Sequence, residues 1–367
     1  MSEHEIEIKL PGRSYRVLTA AGSLDRAGAA LGAVIPPGKA LLVSDTRVYS
    51  LYGERCLCSL VAGGWQPAVA LIRPGERAKS LAGAARLYEA AIEAGLDRGS
   101  PIIALGGGVT GDLAGFAAAT YLRGVPLVMI PTTLLAQVDS SVGGKVAVNH
   151  PRGKNLIGSF HQPHLVIADP AVLATLPLRQ LKNGLAEVVK YGMVNDALFF
   201  AWLEQNLEQA MARDEAILAA AIRRSIEIKA AVVELDERES GYRRILNFGH
   251  TIGHALEAAA GFGYYLHGEA VNIGALLAVH LARLLGILEA AAADRLAELP
   301  RRLGLKRPPA GMTAAAVLEK LNLDKKRRGG ELIFVLPSAV GQAVFQPVAD
   351  RTLLEKLIGD YLAGRSL

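Results

Sequence analysis

The amino-acid sequence predicts an α/β domain built on a parallel sheet over residues 1–179, followed by an all-α domain over residues 180–367. Five short apolar runs, at 40–43, 68–72, 101–105, 127–130 and 165–168, alternate with alanine-rich stretches in the first half. Strands that lack polar alternation are buried on both faces, which is the habit of parallel sheets with helical crossovers. From about residue 180 the pattern changes: 197–235 and 270–299 carry helical spacing and dense alanine with few strand signals. The length of 367 residues also exceeds one ordinary core, at about 100–200 residues per domain.

Composition narrows the class. Residues are 51% hydrophobic and 20% charged, a globular balance far from that of a disordered chain. The net charge of +5 is spread along the chain, and its sharpest cluster is Lys325-Lys326-Arg327-Arg328. A run of four is usually a solvated face, so the excess fits small anionic ligands at least as well as nucleic acid. Cys56 and Cys58 are the only cysteines, too few for a disulfide framework, and point to a reducing cytoplasm. The N-terminus interleaves Glu3, Glu5 and Glu7 with Ile6 and Ile8, unlike a signal peptide. No run of about 18 uncharged apolar residues is present, so no membrane span is expected.

Within the first domain, the strand ending at Leu105 runs into Gly106-Gly107-Gly108-Val109-Thr110-Gly111-Asp112, and a helix is expected from Leu113 to Tyr121. Glycines between strand and helix let backbone N–H groups approach a pyrophosphate at the helix N-terminus. The order is not G-x-G-x-x-G, and a tight turn explains such glycines about as well. Asp45 closes an earlier strand where a carboxylate can hold a ribose hydroxyl, or can cap a helix.

In the second domain three of the eight histidines, His250, His254 and His267, fall within 18 residues. On a helix His250 and His254 are i and i+4 and share a face. Catalytic zinc commonly takes three ligands of histidine and carboxylate type, and which histidines serve is open on spacing alone. Glu187, one turn from Lys190 among apolar neighbours, is the candidate carboxylate, with a plain i,i+3 ion pair as the alternative. Asp139, Lys145, Lys154 and Asn155 lie in glycine-rich segments of the kind that surround anions. Arg123, Lys229, Arg243 and Lys325 add positive charge elsewhere.

Taken together, the segments GGGVTGDLAGFAAATYLRG, IPTTLLAQVDSSVGGKVAVN, KNLIGSFHQP, GLAEVVKYG, RRILNFGHTIGHALE, LHGEAV and LDKK resemble the 3-dehydroquinate synthase family, over residues 45 to about 340. The resemblance implies a nucleotide-binding α/β domain followed by a helical metal-binding domain, with the active site in the cleft. It implies Glu187, His250 and His267 as ligands of one Zn²⁺ or Co²⁺ per subunit, with His254 facing substrate. For NAD it implies Asp45, Glu76, Lys79, Gly107, Gly108, Val109, Asp112, Thr132, Thr133, Asp139, Ser140, Lys154 and Thr175, with Lys145 shared with the substrate. For substrate it implies Asp139, Lys145, Asn155, Lys190, Lys229, Arg243, Asn247, His254 and Lys325 or Lys326. Arg123 matches an arginine that reaches the neighbouring subunit's site, which implies a homodimer.

The implied reaction converts 3-deoxy-D-arabino-heptulosonate 7-phosphate to 3-dehydroquinate and phosphate. The alternatives are another sugar phosphate cyclase, a metal-dependent polyol or glycerol phosphate dehydrogenase of related fold, and a non-catalytic nucleotide- or nucleic-acid-binding protein. One departure stands out: Arg47 occupies a position where many family members carry Asn. Asp45 disfavours a 2′-phosphate by charge, while Arg47 leaves room for NADP.

Overall fold

The computed structural model describes residues 4–261, 263–327 and 332–365, the side chains of 322–327 excepted. The chain forms two compact units, one of residues 1–181 with 213–238 and the other of 182–212 with 239–367.

The first unit holds β1 (His4–Ile8), β2 (Tyr15–Thr19), β3 (Lys39–Asp45), β4 (Gln66–Ile72), β5 (Ile102–Gly106), β6 (Leu127–Pro131), β7 (Lys145–His150), β8 (Gly153–Phe160) and β9 (Leu165–Ala168). Seven of these form one sheet in the order β1-β2-β9-β6-β5-β3-β4. All five strands expected from apolar runs are there, mutually parallel through β9, β6, β5, β3 and β4. β1 pairs antiparallel to β2, and β7 pairs antiparallel to β8 as a separate hairpin.

Burial explains why the inner strands carry no polar alternation. β5, β6 and β9 are buried at every residue. On one face Leu42, Ile103, Leu105, Val128, Ile130 and Ile167 pack with Leu60 and Trp65. The Trp65 indole donates to the Gly28 carbonyl at 3.1 Å, which satisfies its polar edge inside the core.

The principal helices here are α1 (Leu81–Glu93), capped by the Ser80 hydroxyl, and α2 (Gly108–Thr120). α2 begins at Gly108, five residues before the expected start at Leu113, so Val109 to Asp112 form its first turns. Glycine's low helix propensity hides such a start from the sequence.

Next come α3 (Leu178–Asn195), α4 (Ala197–Met211) and α5 (Glu215–Leu235). α5 belongs to the first unit, although the expected division at 179/180 puts it in the second domain. It packs on β1 and on the turn Ala136–Ser140, and Glu234 on it accepts the Lys9 backbone N–H at 2.7 Å. Helical spacing shows which face of a helix is apolar, not which unit covers it.

The second unit continues with α6 (His250–Ala259), α7 (His267–Leu284), α8 (Ala290–Leu303), α9 (Ala314–Arg327) and α10 (Arg351–Leu362). Its helical character matches the expectation, with one addition: β10 (Ile333–Ala339) and β11 (Gln342–Pro347) form an antiparallel hairpin, so the unit is not purely α. No helix among the described residues is long and apolar enough to cross a membrane.

α6 and α7 approach closely because glycine lines their contact. A Cβ on Gly274 would stand 2.0 Å from the carbonyl oxygen of Gly249, the N-cap of α6, and at the α7–α3 contact a Cβ on Gly268 would stand 2.0 Å from the Asn183 carbonyl oxygen.

Candidate active site

Three helices of the second unit supply one cluster. Glu187 projects from α3 and is fully buried. Its Oε2 is ion-paired with Lys190 one turn on, and the Lys190 ammonium also donates to the Leu246 carbonyl at 2.9 Å. Its Oε1 lies 3.7 Å from His250 Nε2 and 3.5 Å from His267 Nε2. His250 opens α6 and His267 opens α7. Around a tetrahedral metal with ligands at about 2.1 Å, ligand atoms stand about 3.4 Å apart. The spacing of Glu187 Oε1 from the two nitrogens therefore fits a shared cation, and the donor set suits zinc or cobalt.

His254 belongs to the same group. Its ring centroid is 5.2 Å from that of His250 and 5.6 Å from that of His267. The three histidines offer nitrogens within 4.8 Å of one another and can hold a metal ion. His254 is the most exposed of the three, the placement suited to a group that meets a ligand from solvent.

The outer nitrogens of the two inner histidines are also met. His250 Nδ1 lies 3.0 Å from the Phe248 carbonyl, which selects the tautomer with a lone pair on Nε2. His267 Nδ1 faces the buried Glu257 carboxylate at 4.0 Å. Burial holds the His250 pKa well below its ordinary value. For His267 burial works in the same direction, but the Glu187 and Glu257 carboxylates on either side of the ring outweigh it and raise the pKa to about 9.

Elsewhere in this unit Arg243 is buried, and Asn247 donates to Glu239 at 2.6 Å. Glu239 itself has a left-handed backbone, with φ of 59°. Lys325 and Lys326 lie on α9, and their side chains lie outside the described residues.

In the first unit, Lys79 is buried and bonds both the Asp112 carboxylate and the Asn155 amide oxygen. Asp112 has a raised pKa because burial outweighs the Lys79 charge. Asn155 sits in a left-handed conformation, with φ of 57°. Its backbone N–H donates to Asn149 Oδ1 at 2.9 Å, and the Asn149 amide donates to Glu76 at 2.8 Å. Four expected residues, Glu76, Lys79, Asp112 and Asn155, thus share one network, with Asn149 as the link.

The glycine turn meets other expected residues. A Cβ on Gly107 would stand 3.0 Å from Thr133, and one on Gly108 would stand 3.2 Å from the Ser140 hydroxyl. The adjoining Thr132 hydroxyl is buried without a hydrogen-bond partner among the described residues. Asp139 pairs with Lys229 of α5. Thr175 shares a 2.6 Å hydrogen bond with the buried Tyr52 hydroxyl.

Asp45 caps a short helix, accepting the Arg47 and Val48 N–H groups on Oδ1. Val109 lies in the first turn of α2, and Lys145 and Lys154 lie on β7 and β8. Arg123 is exposed at a left-handed turn with Leu122.

Sequence reasoning passed over Glu257, Glu239, Asn149 and Tyr52. Glu257 carried a usable signal, since it follows His254 by three residues on the same helix. Asn149 on β7 and Tyr52 in a helical turn meet partners 73 and 123 residues away, and Glu239 sits in a loop, so none of the three has a periodic signature.

Comparison with known proteins gives a consistent result. Residues 69–183 match the family described as 3-dehydroquinate synthase N-terminal, and residues 184–327 match 3-dehydroquinate synthase C-terminal. A 3-dehydroquinate synthase of Pelotomaculum thermopropionicum is 52% identical over 358 residues, covering 97% of this chain and 96% of the relative. Among solved structures, a 2-epi-5-epi-valiolone synthase from Streptomyces hygroscopicus with NAD⁺ and Zn²⁺ bound superposes with a TM-score of 0.89. It is 32% identical and covers 98% of this chain and 99% of its own. A 2-deoxy-scyllo-inosose synthase complexed with carbaglucose-6-phosphate, NAD⁺ and Co²⁺ has a TM-score of 0.87 at 29% identity, with coverage of 97% and 99%. With both family regions matched in order and half of all residues shared along nearly the whole length, the chain belongs to the 3-dehydroquinate synthase family.

Proposed function

We propose that the chain performs its family's ring closure with NAD⁺ and one zinc or cobalt ion, held by Glu187, His250 and His267. The activity, that of a carbon–oxygen lyase in the shikimate pathway, follows from family membership. The observation that carries the metal assignment is the convergence of Glu187 Oε1 with His250 Nε2 and His267 Nε2 while Lys190 occupies Oε2. When bound, the metal supplies Lewis acidity to a substrate hydroxyl and NAD⁺ supplies a transient hydride acceptor.

The reaction oxidises the C5 hydroxyl, removes the C6 proton with loss of phosphate, returns hydride to C5, opens the ring and closes the carbocycle by aldol addition. Hydride leaves and returns, so no net redox change results. Elimination needs only a modest base, because the C5 ketone acidifies the neighbouring proton, and the departing phosphate can serve. The protein's part is then positioning.

Each residue contributes a separate hold. Lys190 pairs with Oε2 of Glu187 and leaves Oε1 to the histidines. Lys145, Asn155 and His254 hold the phosphate, and Arg243 and Lys229 hold the carboxylate, for which a planar guanidinium fork is suited. Asn247 and a lysine at 325 or 326 complete the substrate set. Glu76, Lys79, Asp112, the Gly107-Gly108-Val109 turn, Thr132, Thr133, Asp139, Ser140, Lys154 and Thr175 hold NAD⁺, and Asp45 holds its ribose.

The protein is further proposed to act as a cytoplasmic homodimer in which Arg123 serves the neighbouring site. Exposure of Arg123 at a left-handed turn and the two free cysteines support this.

Supplied with NAD⁺, a divalent metal and the seven-carbon acid phosphate, the protein is expected to release inorganic phosphate without accumulating NADH. Steady NADH production would refute the proposal. Phosphate release from sedoheptulose 7-phosphate in preference to the acid would identify a different cyclase.

A further inference from the structure

Glu257 is a buried carboxylate to which the reaction above gives no task. It lies on α6, one turn beyond His254, and is 5% exposed. Its Oε2 faces His267 Nδ1 at 4.0 Å, while Nε2 of the same ring points to Glu187 Oε1 at 3.5 Å. The imidazole thus stands between two carboxylates, one on its metal-facing nitrogen and one on its outer nitrogen. The second inner histidine is built differently, since His250 Nδ1 meets the neutral carbonyl of Phe248 at 3.0 Å.

This asymmetry has a chemical meaning. A histidine ligand must present a lone pair on one nitrogen, and the acceptor on the other nitrogen decides the tautomer. A carboxylate there orients the ring and makes the ligating nitrogen more basic than a carbonyl can, and loss of such a partner typically weakens metal binding by about 10–100-fold. We propose that Glu257 is a positioning residue for metal binding, which fixes the His267 ring and its Nδ1–H tautomer so that Nε2 faces the cation.

The inference rests on the metal reading given above, and the two can fail separately. Metal-free wild type, E257A, H254A, H267A and the doubles E257A/H254A and E257A/H267A would be titrated with Co²⁺, reading visible absorption and chelator competition. E257A is expected to weaken Co²⁺ binding about 10–100-fold in the wild-type and H254A backgrounds. In the H267A background, titrated at high Co²⁺, the same substitution is expected to change affinity less than about twofold, because the group it acts through is gone.

Persistence of the full loss in the H267A background would overturn the proposal, as would an unchanged affinity in E257A. Should E257A fail to fold, the isosteric E257Q replaces it in the same comparison, and the same two results would overturn the proposal. A wild-type protein that binds no Co²⁺ refutes the metal reading itself. A wild type that binds, with Glu257 variants that bind equally well, refutes only the role of Glu257.

Discussion

Lys229 lies on Asp139, ninety residues away in sequence, and its ammonium donates to both the backbone carbonyl and Oδ1 of that residue. Lys229 is buried in the structure, so its charge is held at one place and not left to sample solvent. Hydrogen bonds to charged groups contribute about 1.5–3 kcal/mol. Lys229→Ala is therefore expected to lower kcat/KM for the acid phosphate by roughly 10- to 100-fold at about 1.4 kcal/mol per tenfold. Steady-state kinetics check this, and Lys229→Arg should recover less than half of the loss, because the site is sized for a point charge.

The ligand assignment separates His267, at the start of α7, from His254 on α6, whose ring centroids lie 5.6 Å apart. Chelation is expected to abolish turnover, and zinc or cobalt to restore it. His267→Ala should lower bound metal, measured by atomic absorption, much more than His254→Ala does. His254→Ala should instead raise KM or lower kcat with metal content near that of the wild type. Equal metal losses contradict the assignment.

Metal affinity should depend on pH with a definite sign. In the metal-free protein the His267 pKa is raised to about 9, so the ring is protonated at neutral pH and a cation must displace that proton. Apparent affinity is expected to climb by up to about tenfold per pH unit from pH 6.5 toward 9 and then level off. The proton's contribution to metal-free stability runs the other way: it is fully present below the ordinary value of 6.5 and is lost as pH rises through about 9. Isothermal titration and thermal melts of the metal-free protein over this range test both slopes.

Close packing at the start of α7 predicts an intolerant glycine. Gly268 donates its N–H to Asn183 Oδ1 at 2.6 Å, and an added Cβ would stand 2.0 Å from the Asn183 carbonyl oxygen. The backbone must shift to admit alanine, at a cost of about 1–3 kcal/mol. Gly268→Ala is expected to lower the melting temperature by several degrees and, by moving His267, to reduce metal content. A melting temperature unchanged within a degree contradicts this packing.

Thiol chemistry should distinguish the two cysteines. Cys56 is buried and desolvation pushes its pKa up to about 12, while Cys58 is exposed. Iodoacetamide under native conditions is expected to label Cys58 alone, and denaturation should release the second thiol. Mass spectrometry of the labelled protein reads the outcome directly.

The sequence by itself determined the elements whose identity depends on local pattern. The unbroken apolar runs that became β3, β5, β6 and β9 could be read because a strand buried on both faces has no polar positions. The i,i+4 pair His250 and His254 followed from helical spacing alone. Motif resemblance carried the reaction, which composition and periodicity cannot express.

Only the tertiary structure decided which faces meet. It assigned α5 to the first unit by its packing on β1, and it began α2 within glycines that have no helical preference of their own. It also brought Glu257 to the outer side of His267 and Asn149 between Glu76 and Asn155. The physical reason is common to these cases: strand and helix periods specify which face of an element is apolar, but the partner of that face, and the donors and acceptors that meet when two faces close, depend on contacts between residues distant in sequence.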